Sequence, residues 1–568
     1  MTLSSRFLLF SLTMLSSASA FVVTPASAAT SDSAEVAVLR REMAEMRREM
    51  LSMRSELRHQ HTFPATNDEG RPSQDRGEAH SWKHARRMAA HTPQDYNGVP
   101  EPGVAFNQPP KISYHANGDG RPPSDRGITS SWEDFKRASA DTEVVQVGGM
   151  KIGFPNGRPT IQSEDGKYAF SIGLAFHEDF GGFMGVTPRA GESKGKFNSF
   201  TSNARRLRIP FTFRYKDWVA NVTPDFGAGN NDGTVGLYEG NLNYAGLRNT
   251  IFTIGYFQPR VTEEDSESSN EFEMMERPGI TDIVRNIAAS DARFSIGGLH
   301  YEKRWWLGAY FTGQQFGGRN ASGYYGGDGA VSDSQTGGTF RFAGRPIATK
   351  DWDLHLGVSA ISAFKPNNGT HGRSFTLSQR PEVNLGEDSL LGTGAITNVS
   401  QVWAAGPEAG LRWKSLVIKS EYYHIGVNRS HTASGQSLSN LGFDGWYVAA
   451  NYTLFGTPRA YNYKEGAFSA PGVKESQEFN PKTGQWGALE ITGRYSETDL
   501  NSQVNSANGV RGGNQIVWSG GLNWYPNRHF RVMLDYNHFI DQRTSHDGTV
   551  NIAGRNGNSV AARIQAAF

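Results

Sequence analysis

The chain has 568 residues, a net charge of +1 from 57 basic and 56 acidic side chains, and a mean hydropathy of −0.53. This near-neutral balance gives no reason to expect a nucleic-acid partner, and the absence of cysteine excludes disulfides, thiol nucleophiles and a lipid-modified N-terminal cysteine. After the N-terminus no apolar stretch approaches the roughly 18 residues of a transmembrane helix. A membrane β-barrel has the same polar average, because its lipid-facing and lumen-facing residues alternate.

Residues 1–28 have the features of a secretory signal peptide. Arg6 precedes the short apolar run 7–15, and A-x-A cleavage sites end at Ala20 and Ala28. We favour the second site. The alternative is a buried N-terminal helix.

Residues 29–59 are predicted to form a coiled-coil helix. Apolar side chains recur at spacings of three and four over three heptads, as in a coiled-coil seam. They are Val36, Leu39, Met43, Met46, Met50, Met53 and Leu57. Methionine packs adaptably and specifies strand number poorly, so the pattern predicts oligomerisation without a number. The alternative is a single amphipathic helix packed on its own chain.

Residues 60–146 are predicted to be a low-complexity periplasmic linker that contains a repeated element. The pattern G-R-P-x-x-D-R-G-x-x-x-S-W occurs at 70–82 and again at 120–132. A possible helix follows each copy, and Ser81 and Ser131 occupy the N-cap position. The element is either a twin docking motif for a periplasmic or cell-wall partner or a duplicated spacer with helix caps, and we favour the spacer.

From about residue 147 onward, more than a dozen segments alternate between apolar and polar residues. Strands have this side-chain period of two. The clearest segments are 167–179, 206–215, 446–454, 516–525 and 559–568. Aromatic residues cluster near segment ends, and short connections alternate with long polar ones, as in outer-membrane barrels. Residues 147–568 are therefore predicted to form an all-β, transmembrane antiparallel barrel.

Basic residues at inward-facing strand positions are candidates for the pore lining. They are Arg206, Arg208, Arg214, Arg412, Lys414, Lys419, Arg494 and Arg563. Such residues attract anions into an aqueous lumen through their electric field. The alternative is that they hydrate the wall and pair with neighbours, as Arg412 would with Glu408.

The stretch 259–285 has eight acidic and three basic residues, a net charge of −5. Six of its acids are candidates for a constriction or an outer loop: Glu263, Glu264, Asp265, Glu267, Glu271 and Glu273. Inside the lumen this stretch would oppose anion selectivity, and outside it would form an acidic loop at the lipopolysaccharide surface. Its spacing differs from that of a calcium loop, so neither a metal site nor a cofactor is predicted.

Several blocks of the barrel region resemble the phosphate-selective porins O and P of bacterial outer membranes. They are Arg205-Arg206-Leu207-Arg208, Gly255-Tyr256-Phe257-Gln258-Pro259 with Met275-Glu276-Arg277, Phe443-Asp444-Gly445-Trp446-Tyr447-Val448 with Phe455-Gly456-Thr457-Pro458-Arg459, and Gly521-Leu522-Asn523-Trp524-Tyr525 with Arg531-Val532-Met533-Leu534-Asp535-Tyr536. The resemblance implies a 16-stranded barrel, usually a trimer, that passes phosphate or polyphosphate by diffusion. It also implies that Phe568 is the signal read by the barrel-assembly machinery. In contrast to the family's anion-binding lysines at the constriction, the stretch 259–285 has no lysine.

The sequence thus predicts a passive outer-membrane porin for small anions such as phosphate, without catalytic residues. The alternatives are a general or weakly cation-preferring porin, and a structural protein that links the outer membrane to the cell wall through residues 29–146. The expected partners are outer-membrane lipid and lipopolysaccharide, two further copies of the chain, and the assembly machinery.

Overall fold

The structure is a computed structural model that describes residues 120–142, 144–187, 200–227, 233–317, 334–369, 372–386, 389–432, 434–544, 550–551 and 555–568. The predicted signal peptide (1–28), the coiled-coil helix (29–59) and the first copy of the repeated element (70–82) lie outside the described residues. All three remain predictions.

Strands dominate the described chain. The first fourteen are β1 (Val145–Val147), β2 (Met150–Gly153), β3 (Thr160–Ser163), β4 (Tyr168–Ile172), β5 (Ala175–Met184), β6 (Phe200–Arg208), β7 (Phe211–Tyr215), β8 (Trp218–Asp225), β9 (Gly236–Leu247), β10 (Thr250–Phe257), β11 (Arg293–Tyr301), β12 (Trp305–Gln315), β13 (Thr336–Ala348) and β14 (Trp352–Lys365). They are followed by β15 (Asn368–Gly369), β16 (Gly372–Phe375), β17 (Ser378–Gln379), β18 (Leu391–Gly392), β19 (Ile396–Thr397), β20 (Val399–Trp413), β21 (Leu416–Arg429), β22 (Leu441–Phe455), β23 (Tyr461–Asn462), β24 (Ala467–Phe468), β25 (Ala488–Ser502), β26 (Val510–Tyr525), β27 (Phe530–Thr544), β28 (Val550–Asn551) and β29 (Asn556–Ala567). The described α-helices are α1 (Trp132–Ala140), α2 (Glu263–Ser266) and α3 (Gly279–Ala288). In the part of the chain that the structure describes, no helix has the length and hydropathy to cross a membrane.

Within the described residues, sixteen antiparallel strands close into a barrel. They are β4 continued by β5, β6 continued by β7, β8 to β14, β20 to β22, β25 to β27, and β29. The last strand closes the ring, because β29 pairs with β5 from Ala567 opposite Ala175 to Asn558 opposite Met184. Every barrel strand is thus paired along both edges. This is required in a lipid bilayer, because no water is present there to form hydrogen bonds with unpaired backbone groups.

Strand β22 shows how the sequence produces this wall. Trp446, Val448 and Tyr452 are exposed on the outer face, whereas Tyr447 and Ala449 between them are buried inside. An outer face of large apolar side chains is stable against lipid, and an inner face can then carry polar groups. The alternation predicted for 446–454 is confirmed.

Two segments predicted as single strands are each divided in the structure. Segment 206–215 is divided between β6 and β7 at Pro210, which has no N–H group to donate to a ladder. Segment 167–179 is divided between β4 and β5 at Gly173, where a Cβ would lie 2.9 Å from the backbone oxygen of Phe568. Beyond this break β4 pairs with β3, and β3, β2 and β1 extend the sheet past the barrel.

Residues 120–142 belong to the folded unit and not to a linker. Residues 120–132 pack against side chains of the inner wall, and α1 follows them. Ser131 Oγ accepts a hydrogen bond from Asp134 N at 3.1 Å, so the predicted N-cap is confirmed. In the described residues 120–142 the structure therefore differs from the predicted linker 60–146. The second copy of the repeated element is folded because its charged side chains, such as Asp125 and Arg126, are buried against the inner wall.

Candidate functional site

The connection between β10 and β11, residues 258–292, folds into the lumen, and we call it the constriction loop. Every residue in 261–275 is buried. The apolar face of α3 packs against the inner sides of β14 and β20 to β22, and it consists of Ile280, Ile283, Val284 and Ile287. Burial contributes about 1.5–3 kcal/mol for each such side chain, which anchors the loop. The sequence left open whether 259–285 lies inside the lumen or outside the barrel, and in the structure it lies inside the lumen.

One side of the constriction loop meets β21 at a cluster that we call the glutamate wall. Lys419 Nζ lies 3.1 Å from Glu263, 2.9 Å from Glu264, 2.7 Å from Glu267 and 3.7 Å from Glu273. Glu421 completes the cluster, because its carboxylate accepts hydrogen bonds of 3.2 Å from the backbone N–H groups of Glu263 and Glu264. The ammonium of Lys419 thus faces four loop carboxyl groups.

Burial changes the charge of these loop acids. Burial, with a contribution from Glu263, raises the pKa of Glu267 well above its ordinary value despite the nearby Lys419. Burial, and then Glu465, raises the pKa of Glu271 to about 7. Carboxyl groups with raised pKa values retain protons near neutral pH, so the loop carries less negative charge than its composition indicates.

Another side of the loop meets three arginines on β6, β27 and β29, and we call these the arginine wall: Arg206, Arg531 and Arg563. Arg563 Nε donates to Asp179 Oδ1 at 2.5 Å across the barrel seam, and its Nη2 lies 3.1 Å from Glu276.

Arg531 binds the backbone of the constriction loop, and Arg206 lies beside the loop; neither makes an ion pair among the described residues. Arg531 donates to the backbone oxygens of Phe272 at 2.5 Å and of Asn270 at 3.3 Å. Arg206 lies 3.4 Å from His177 Nδ1 and 5.9 Å from the Phe272 ring. Among the described residues, neither Arg206 nor Arg531 pairs with a carboxylate. Each guanidinium group therefore lies beside the loop without a carboxylate in direct contact.

The remaining basic residues named from the sequence lie nearer the barrel ends or within ion pairs. Arg494 pairs with Glu382 at 2.7 Å. Arg412 pairs with Asp353 at 2.5 Å and not with Glu408, which corrects the pairing considered from sequence spacing. Lys414 also differs from the pore-lining expectation, because it occupies the exposed turn between β20 and β21 with a φ of 51°.

Residues 120–132, which we call the lumen segment, occupy the inner wall next to the constriction loop. Arg208 Nη1 donates to Asp125 at 2.5 Å, and Arg214 Nη1 donates to the Ser130 backbone oxygen at 2.9 Å. Arg126 in turn donates to the Asp265 backbone oxygen at 2.9 Å. Burial opposes the charge of Asp125, but Arg208 and Arg126 outweigh it and hold its pKa below the ordinary range. Two of the predicted pore-lining arginines thus bind this segment.

Sequence reasoning missed two ion pairs that lie beside the loop. Arg341 pairs with Glu408 at 2.8 Å, and Arg459 pairs with Glu490 at 2.7 Å. The sequence could have shown that Arg341 faces inward, because it lies between two phenylalanines of β13 and strand side chains alternate between the two faces. No such signal existed for Arg459, because the connection 456–487 folds into the lumen only through tertiary contacts.

A comparison with sequence models of protein families gives the family of this chain. The sequence model of the family described as phosphate-selective porin O and P matches residues 170–568. The chain belongs to this family. It is therefore a porin, a channel of the outer membrane. A comparison with curated proteins finds no match.

Solved structures with a similar fold include several outer-membrane proteins. The outer membrane channel DcaP of Acinetobacter baumannii is 11% identical, with 72% of this chain and 99% of that chain covered and a TM-score of 0.40. The trimer form of OmpT of Vibrio cholerae is 10% identical, covers 71% and 99%, and has a TM-score of 0.41. An anion-selective porin from Comamonas acidovorans is 10% identical, covers 70% and 100%, and has a TM-score of 0.39. At such low identity, neither the solute nor the oligomeric state of these proteins can be assigned to this porin.

Proposed function

We propose that this porin gives passive passage to small hydrophilic anions, such as phosphate or polyphosphate. The observation that carries the proposal is the arginine wall, where Arg206 and Arg531 lie beside the constriction loop without a carboxylate partner among the described residues. A guanidinium group stays charged at every physiological pH. The loop acids Glu267 and Glu271 have raised pKa values, so these two oppose the positive charge of the arginines less than ordinary carboxylates would.

The constriction loop and the lumen segment narrow this lumen. The constriction loop is buried along 261–275, and the lumen segment occupies the wall beside it. Charged side chains hold both elements against the wall. We therefore expect a channel of small conductance rather than a wide pore.

A planar lipid bilayer with a salt gradient tests the proposal. We expect single-channel steps and a reversal potential of the sign that anion preference produces. A reversal potential of the opposite sign would support the general or weakly cation-preferring porin instead. The glutamate wall favours that second candidate, because one lysine faces four loop carboxyl groups there. An absence of steps, with the lumen segment both present and deleted, would favour the structural protein linked to the cell wall through 29–146.

We also propose a homotrimer that the N-terminal coiled coil stabilises from the periplasm. The heptad seam within 29–59 supports it, since such a seam buries its apolar side chains only against another helix. Deletion of 31–59 should lower the temperature at which the trimer dissociates in detergent. Deletion of 98–110, a stretch rich in proline and glycine that has no heptads, is the control. Equal dissociation temperatures for all three proteins would contradict the proposal.

The C-terminal Phe568 is our candidate for the signal that the barrel-assembly machinery reads. It lies at the barrel seam, where its backbone N–H donates to the oxygen of Leu174 at 2.8 Å and its ring stacks on His529 at 4.6 Å. Phe568→Ala should reduce the amount of folded barrel recovered from outer membranes. Unchanged recovery, next to a matched Phe530→Ala control, would remove the assignment. Lipopolysaccharide and outer-membrane lipid are the proposed surroundings of the outer face.

A further inference from the structure

The lumen segment binds through residues that the two copies of the repeated element share. Arg121 donates to the backbone oxygens of Ala470 and Pro458. Asp125 accepts from Ser268 Oγ at 2.7 Å and from Ser269 Oγ at 2.6 Å, in addition to its pair with Arg208. The first copy has the same charged residues at the equivalent positions, which are Arg71, Asp75 and Arg76.

The second copy also has two glycines at positions where a side chain would clash with residues of the lumen. Gly120 has a φ of +71°, and a Cβ there would lie 1.8 Å from the backbone oxygen of Val473. A Cβ on Gly127 would lie 2.2 Å from the side chain of Asn221. Only glycine fits at these two positions. Gly70 and Gly77 meet the same requirement in the first copy.

Where the two copies differ, the lumen mostly contacts the backbone. Asn270 Nδ2 donates to the Pro123 oxygen at 2.7 Å, and Arg158 Nη2 donates to the Ser124 oxygen at 2.7 Å. The Ile128 N–H donates to Thr212 Oγ1 at 3.2 Å. The first copy has Ser, Gln and Glu at these three positions, and each of them offers the same backbone group. The site thus accepts the shared pattern and tolerates the substitutions.

We propose that this lumen site is a binding site for the repeated element in general, and that the first copy, 70–82, binds it in exchange with the second copy of the same chain. Each barrel offers one such site and each chain carries two copies. Binding of the first copy therefore requires release of the lumen segment, whatever solute the channel passes.

Neighbouring residues make the second copy the default occupant. Phe135 of α1 is buried with its ring 4.7 Å from the Arg214 guanidinium, and Glu133 and Asp134 lie in the first turn, where the helix dipole favours acids. The first copy has Lys83, His84 and Ala85 at the equivalent positions, so it lacks both contributions. Ala79 and His80 replace Thr129 and Ser130, whose hydroxyl groups bind Asn221 and Arg214.

The chain is long enough for exchange within one barrel. Residues 83–119 connect the two copies and can extend to roughly 120–130 Å. The longest barrel strand, β26 with 16 residues, spans only about 50 Å. Because the tether also keeps the first copy at a high effective concentration, exchange within the chain is favoured over exchange between chains.

Disulfide trapping in the full-length protein tests the proposal, because the natural chain has no cysteine. The test protein carries Asn221→Cys with Ala79→Cys. The positive control carries Asn221→Cys with Thr129→Cys, since these two side chains lie 3.0 Å apart. The negative control carries Asn221→Cys with Ala105→Cys in the connection. All three are oxidised in membranes and separated by size under denaturing conditions.

We expect the Ala79 protein to form a minor fraction of intrachain disulfide that still exceeds the Ala105 control. Weakening the second copy with Asp125→Asn and Arg126→Gln should raise this fraction about tenfold or more, since a charge-assisted hydrogen bond contributes at least tenfold to an equilibrium. Adding Asp75→Asn and Arg76→Gln should return it to the Ala105 level. A fraction equal to the Ala105 control in both backgrounds, a fraction unaffected by the Asp75 and Arg76 changes, or disulfides only between two chains would overturn the proposal.

Discussion

The glutamate wall and the arginine wall hold the same loop by different chemistry. At the glutamate wall Lys419 lies among loop carboxyl groups. Burial raises the pKa of Glu267 and Glu273 there, whereas at Glu263 burial is outweighed by Lys419 and other neighbouring groups, which lower its pKa. At the arginine wall Arg206 and Arg531 contact a histidine, a ring and backbone oxygens, and they keep their charge. The formal net charge of −5 for 259–285 is therefore a poor guide to the field in the lumen, because acids can be neutralised by protons and arginine cannot.

The largest expected effect comes from the one cation of the glutamate wall. Lys419→Gln leaves the buried carboxyl groups without their counter-charge, which typically costs about 3–5 kcal/mol. We expect a much lower denaturant midpoint for unfolding of the barrel in detergent. Lys414→Gln is the matched control, because this lysine lies in an exposed turn and such changes stay within about 0.5 kcal/mol. Similar midpoints for both variants would show that Lys419 does not hold the loop.

A second effect compares Glu271, a loop acid outside the glutamate wall, with the arginine wall, whose charge does not change with pH. Below pH 7 Glu271 is protonated in the folded protein, because its pKa is raised to about 7. Stabilisation from a raised pKa is lost as the pH rises through the folded value, and negative charge then appears beside the loop. We expect anion preference in bilayers to fall between pH 6 and pH 8, and Glu271→Gln to weaken this dependence. A preference that rises with pH in the natural protein would contradict the assignment.

A smaller effect concerns the helix that follows the lumen segment. Ser131→Ala removes the N-cap of α1, which typically costs about 1 kcal/mol. The helix positions Phe135 against Arg214, so we expect faster proteolysis of the N-terminal segment without a change in barrel unfolding. Ser139→Ala, a change near the other end of the helix, is the control. Equal proteolysis rates for the two variants would show that the cap does not hold the segment in place.

The barrel could be predicted from sequence because its signals are local. The alternation in 446–454 and the short connection between β26 and β27, residues 526–529, each depend on neighbouring residues, and both are found in the structure. The sequence analysis did not predict the divisions at Gly173 and Pro210. Proline could have indicated the second, because it has no N–H group and often ends a strand.

The contents of the lumen could not be predicted in the same way. Lys419 contacts Glu263 from a strand 156 residues away, and no pattern in the sequence links the two. The repeated element was visible, but its position against the inner wall depends on Arg208 and the constriction loop together. The role of the eight basic residues as pore lining remains a prediction, with Lys414 as the one that the structure places in a turn.

The most direct test of the account is the reversal potential of the natural protein beside that of Arg206→Gln in the same salt gradient. Arg206 makes no ion pair among the described residues, so the change should leave barrel unfolding nearly unaltered while it removes a permanent charge from the arginine wall. Arg304→Gln, in an exposed turn outside the lumen, is the control. We expect anion preference in the natural protein and in Arg304→Gln, and a shift towards cations in Arg206→Gln. Identical reversal potentials in all three proteins, or cation preference in the natural one, would contradict the account.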